Sequence, residues 1–120
     1  MTPAQQAVSS VLTRLEELLE GEIFALSSRR PYDHDTASRQ KSRALLELVR
    51  AQVTDVDVAA DPALAARLRQ VREKLVRDRD LLMIHLEASR EVSEILSSAM
   101  RDEDWDGTYD SRIADPAAKG

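Results

Sequence analysis

The sequence predicts an all-α protein: an antiparallel three-helix bundle or coiled coil with one long C-terminal helix and a flexible acidic tail. Three observations carry this. Apolar residues recur at spacings of three and four along most of the chain, which lines them up on one side of a helix. The 120 residues include only three Gly and four Pro while 32% are charged, a composition suited to amphipathic helices and poor in the turns that short strands need. Aromatic residues make up 3%, so the core has to come from Leu, Val, Ile and Ala, which favours helices packed along seams.

Helix one is expected over about Pro3 to Ser28, from the stripe Val8, Leu12, Leu15, Leu19, Ile23 and Leu26. Gly21 interrupts it at roughly 1 kcal/mol relative to Ala, which leucine packing can offset. Arg29, Arg30 and Pro31 end it, because proline disfavours helical geometry at the preceding residue and cannot donate the next backbone bond. Asp33 and Asp35 then supply cap oxygens and negative charge for a new helix start. Helix two is expected over about Asp35 to Val56, with Leu45, Leu46, Leu48, Val49, Val53 and Val56 in its second half and a polar first half holding Arg39, Lys41 and Arg43.

Asp61 before Pro62 is the clearest boundary, an N-cap followed by proline where its missing N–H is not needed. From there Leu64, Leu68, Val71, Leu75, Asp78, Leu82, His85, Ser89, Val92, Leu96 and Ala99 alternate by four and three over about five heptads. Helix three is therefore expected from Pro62 to about Arg101, closing a bundle over residues 1–101. Forty residues at about 1.5 Å each reach roughly 60 Å, about twice the length of either other helix. Part of it has to outrun its neighbours or bind something else. Residues 102–120 are acidic, carry Gly107, Pro116 and Gly120, and are expected to be flexible, yet they hold Trp105 and Tyr109.

Several function classes lose support. Without cysteine there is no disulfide framework, thiolate nucleophile or Cys-ligated zinc, and a reducing compartment fits. The N-terminus lacks the basic start and apolar run of a signal peptide, and the longest strongly apolar run is Leu81 to Ile84, so no membrane insertion is expected. A formal charge of −5 argues against nucleic acid. The arginines of helix three, Arg67 to Arg79, scatter around the helix among Glu73, Asp78 and Asp80 with no aromatics to stack on bases, and read as a solvated, ion-paired surface. Tyr32, Asp33, His34 and Asp35 crowd ligand types together, but adjacent positions rarely converge on one metal, so capping is the better reading. Ser38 to Lys41 spells S-x-x-K without the other motifs of that chemistry. No phosphate loop or nucleophile elbow is present, so the expectation is a non-enzyme with no cofactor.

The residues that remain point to protein contact. Val92, Ile95, Leu96 and Met100, with Met83, form an apolar length late in helix three, either an exposed groove or core against helix one. Trp105 and Tyr109 are residue types enriched at interface hot spots. His85 is expected to be partly buried and hydrogen-bonded, and Asp78 to set register or open a wet spot in the seam.

The stretches Leu15-Glu16-Glu17-Leu18-Leu19 with Glu22, Arg39-Gln40-Lys41-Ser42-Arg43-Ala44-Leu45-Leu46-Glu47-Leu48, His85-Leu86-Glu87-Ala88 and Asp106-Gly107-Thr108-Tyr109 together resemble FlgN-type flagellar export chaperones, in particular short alphaproteobacterial forms. The family commonly has an Asn in the middle of its last helix, where this chain has Asp78-Arg79-Asp80. The resemblance implies a cytoplasmic chaperone that binds the C-terminal helices of hook-associated junction proteins and delivers them to the flagellar type III export gate. It places the client on the late helix and C-terminal segment, with the export-gate contact at Tyr109. The competing reading is a structural coiled-coil protein that self-associates through helix three, as a homodimer, with no client.

Overall fold

The computed structural model describes residues 2–53 and 61–106, in three helices: α1 (Pro3–Ser27), α2 (His34–Val53) and α3 (Pro62–Asp106). The protein is an all-α three-helix bundle. By its packing the chain divides into two units at Met83/Ile84.

Each start is capped as the local chemistry dictates. Thr2 closes a reciprocal capping box with Gln5 ahead of Pro3. Asp33 accepts from the Thr36 N–H at 3.1 Å and the Thr36 hydroxyl at 2.7 Å, so α2 begins at His34, one residue before the expected start. Asp61 Oδ1 accepts from the N–H groups of Ala63 and Leu64 at 3.0 and 3.3 Å. The end of α1 is a Schellman turn in which Arg30 N–H reaches Ala25 O at 2.8 Å. Arg29 takes the left-handed position of that turn at φ 57°, a place glycine usually fills.

Within the first unit, pairing fixes the directions. Arg14 of α1 meets Glu47 of α2, and Glu22 meets His34 and Lys41, so α1 and α2 run antiparallel. Arg67 of α3 reaches Ser9, Thr13 and Glu16, and Lys74 reaches Glu20, so α1 and α3 run in the same sense. Between them lies one core of Val8, Val11, Leu12, Leu15 and Leu19 from α1, Ala44 and Leu48 from α2, and Leu64 and Val71 from α3. Ile23, Leu45, Leu68 and Leu75 close its edges. Each fully buried leucine contributes about 1.5–3 kcal/mol of transfer free energy, which is what holds helices of otherwise polar composition together.

Two boundaries differ from expectation. Helix α3 continues to Asp106, past the expected end at Arg101, because Gly107 is the first glycine or proline after Pro62 and no breaker stops the helix earlier. Residues 102–106 are thus helical, not part of a flexible tail; the rest of that tail, with Tyr109, lies outside the described residues. The expected end of helix two at Val56 also lies outside them. Among the described residues, no helix is long and apolar enough to cross a membrane.

Candidate functional site

Two features stand out, one inside the bundle and one on its last helix. The first arises because all three helices place a charged residue on the seam at the same level. Glu22 continues the four–three rhythm of Val8, Leu12, Leu15 and Leu19; Lys41 lies between Ala37 and Ala44; Asp78 follows Leu64 and Val71. Glu22 is fully buried and Asp78 is 2% exposed, so both carboxyls lie in the core. Lys41 Nζ donates to Glu22 Oε1 at 2.5 Å and to Asp78 Oδ2 at 2.6 Å, joining the three helices through one ammonium. The other Glu22 oxygen lies 2.6 Å from His34 Nδ1, and the His34 ring tilts against Tyr32 with centroids 5.3 Å apart.

The electrostatics of this layer are unbalanced. Two carboxyls share one ammonium, and Asp78 Oδ1 is buried with no hydrogen-bond partner. Burial, opposed by the Lys41 hydrogen bond and reinforced by the nearby Glu22 carboxylate, pushes Asp78 up to about 6. Burial also pushes Glu22 upward, but the hydrogen bonds from Lys41 and His34 and the interaction with Asp78 together carry it below the ordinary range. Lys41 is opposed by burial and held up by its two carboxylate partners. A proton taken up by the pair therefore resides on Asp78, where it removes one of two mutually repelling charges.

Apart from Asp78 Oδ1, the charged groups of the layer are occupied with one another. Lys41, the last residue of the S-x-x-K match, is spent in these ion pairs while Ser38 is exposed. The Tyr32-to-Asp35 cluster disperses: Asp33 caps, Asp35 pairs with Arg39, and His34 turns to Glu22. Among the described residues no group of acidic or histidine side chains is placed to hold a metal ion. Of the arginines on α3, Arg67 is tied to Glu16 and Arg79 to Asp80.

The second feature is the late part of α3. No described side chain from Met83 to Glu103 is covered. Val92, Ile95, Leu96 and Met100 are all exposed, between 54% for Val92 and 66% for Ile95, as are Ile84 and Leu86. Of the two readings of this apolar length, the exposed surface is the one observed. Ile84, Ala88, Val92, Ile95, Leu96 and Ala99 fall within a sector of roughly 120° at 3.6 residues per turn, and Met100 adjoins its Leu96 edge. His85 lies within the same sector and is exposed, contrary to its expected partial burial, since nothing covers any described side chain of this stretch. Trp105 belongs to the last turn of α3.

Asp78 is legible in the sequence as a polar seam residue, whereas Glu22 is not. Its signal was present: position 22 completes the rhythm 8, 12, 15, 19, 22, 26, but a glutamate there reads as a solvent position next to Ile23 until Lys41 and Asp78 are seen at the same level.

Comparison with protein-family models, curated proteins and solved structures finds no match to this chain. Fold and site together define a class: a small helical bundle whose last helix presents an uncovered apolar stripe.

Proposed function

We propose that the protein is a helical export chaperone that holds an amphipathic helix of a client against the late part of α3. The supporting observation is the continuous stripe Ile84, Ala88, Val92, Ile95, Leu96 and Ala99, uncovered on a helix of 45 residues. Exposed apolar surface of this kind is unfavourable in water unless a partner covers it. A helix laid alongside would bury alternate turns at i, i+3 and i+4 positions.

The resemblance to FlgN-type flagellar chaperones supplies the client: the C-terminal helices of hook-associated junction proteins, held in the cytoplasm before handover to the type III export gate. Under this reading Val92, Ile95, Leu96 and Met100 carry the client, Trp105 borders it, and Tyr109 serves the gate. The protein is not an enzyme and needs no cofactor.

Self-association through the same stripe is the second reading, and the same exposure favours it. Calorimetric titration with the C-terminal segments of junction proteins from the same genome tests both. A one-to-one complex that Leu96→Asp weakens at least about tenfold, as burial of a charge in an apolar contact demands, supports the chaperone. No binding, with light scattering showing the free protein to be a stable homodimer, assigns the stripe to a second copy.

A further inference from the structure

We infer that the segment seated on late α3 carries a lysine- or arginine-rich border along one side of its apolar stripe; the inference rests on the docking role proposed above and specifies its partner's chemistry. The two borders of the α3 stripe differ. Glu87, Glu91 and Glu94 line one edge, next to Ile84 and Ile95, while Ser89, Ser93 and Ser97 line the other. All six are exposed. Arg90 stands behind the acidic edge and pairs with Glu87 at 3.7 Å; among the described residues no ion pair involves Glu91 or Glu94. From Ile84 to Glu103 five acids face two arginines.

The end of the helix adds a second, independent observation. The last turn of α3 contains no basic residue, and Asp102 and Glu103 lead into it. Acidic side chains at the negative end of the helix dipole are destabilising, and an incoming cation would relieve them. One helix end and one helix edge thus present the same sign of charge beside the same apolar stripe.

A second copy of the chain does not satisfy this pattern. Paired antiparallel, two such helices bring acidic edge against acidic edge. Paired parallel, they bring acidic edge against serine. In neither does a cation meet Glu91 or Glu94, and in the antiparallel arrangement the like charges flanking the apolar seam select against pairing. A cationic amphipathic helix meets both the apolar and the acidic demand, and charge of this kind governs which partner is chosen more than total affinity.

The test uses the full chain and two synthetic helical peptides with an identical leucine stripe, one bordered by lysine and one by glutamate, titrated by calorimetry at low and high salt. The lysine-bordered peptide is expected to bind at least about tenfold tighter at low salt, with the preference shrinking as salt screens it. The exposed triple variant Glu87→Lys, Glu91→Lys, Glu94→Lys is expected to reverse the preference with its helical circular dichroism unchanged. Equal binding of the two peptides, or a preference the triple variant leaves intact, overturns the inference while docking on the stripe stands, provided Leu96→Asp abolishes both. Neither peptide binding, or a homodimer that excludes both, overturns the inference and the docking role together.

Discussion

Lys41 Nζ lies 2.6 Å from Asp78 Oδ2, and the same ammonium holds Glu22 at 2.5 Å, so one lysine ties all three helices at a single level of the core. The arrangement explains why the polar first half of α2 packs at all. It also makes the bundle sensitive to substitutions that leave its leucines untouched.

Lys41→Met removes the shared cation and leaves two buried carboxyls facing each other. Breaking a buried charge network from one side costs about 3–5 kcal/mol, and an unfolding free energy lowered by that amount, read as a lower urea midpoint, is expected. Replacing all three partners, Glu22→Leu with Lys41→Met and Asp78→Leu, is expected to recover most of the loss, since apolar residues of similar volume often substitute for buried ion networks without penalty. Denaturant unfolding of the single and triple variants checks both.

Asp78 gives stability a definite pH dependence. Its folded pKa of about 6 lies above the ordinary 3.8, so its contribution is fully present below 3.8 and is lost as pH rises through about 6. Glu22 works the other way: its folded pKa is lowered, so its contribution is present above 4.5 and lost as pH falls through the folded value. The groups acting on Asp78 are Lys41 from α2 and Glu22 from α1, with the Tyr32 phenol near enough to feel both carboxylates, while His34 meets the other oxygen of Glu22. Unfolding free energy is expected to fall between pH 5 and 7 in the parent and to change less in Asp78→Asn, measured by urea titration at each pH.

Gly21 lies close against Tyr32. A Cβ at position 21 would stand 3.2 Å from the Tyr32 hydroxyl, while the nearest ring carbons are 3.9 Å away. Gly21→Ala should therefore gain less than the roughly 1 kcal/mol that helix propensity offers. In a Tyr32→Phe background, where the hydroxyl is gone, the same change is expected to gain nearly all of it. A double-mutant cycle by thermal or urea unfolding reads the difference.

Asp61 marks the start of α3, and Asp61→Ala frees two backbone N–H groups at once. A loss of about 1 kcal/mol is expected, with helicity of α1 and α2 unchanged, read by urea unfolding and backbone amide shifts.

Much of this fold is legible in the sequence, and particular residues show why the rest is not. The starts of all three helices follow from Pro3, Asp33 and Asp61-Pro62, because caps and prolines act locally. The reach of α3 does not follow: Asp102 to Asp106 lack apolar periodicity and carry charge that disfavours a helix C-terminus, yet they are helical. The Gly21–Tyr32 approach joins residues eleven positions apart through a turn, which no helical period encodes. Glu22 escapes for a similar reason, since its meaning depends on Lys41 and Asp78 arriving at the same level from other helices. The apolar length of Met83, Val92, Ile95, Leu96 and Met100 is visible in the sequence, which leaves it open between an exposed groove and core against helix one.

Hydrogen exchange on the full chain, free and mixed with the C-terminal helical segment of a junction protein, tests the docking role most directly. Amides of residues 84–103 are expected to exchange readily in the free protein and to become strongly protected in the mixture, while α1 and α2 change little. Unchanged exchange over 84–103 in the presence of bound segment, or protection there already in the free protein through a second copy, would contradict it.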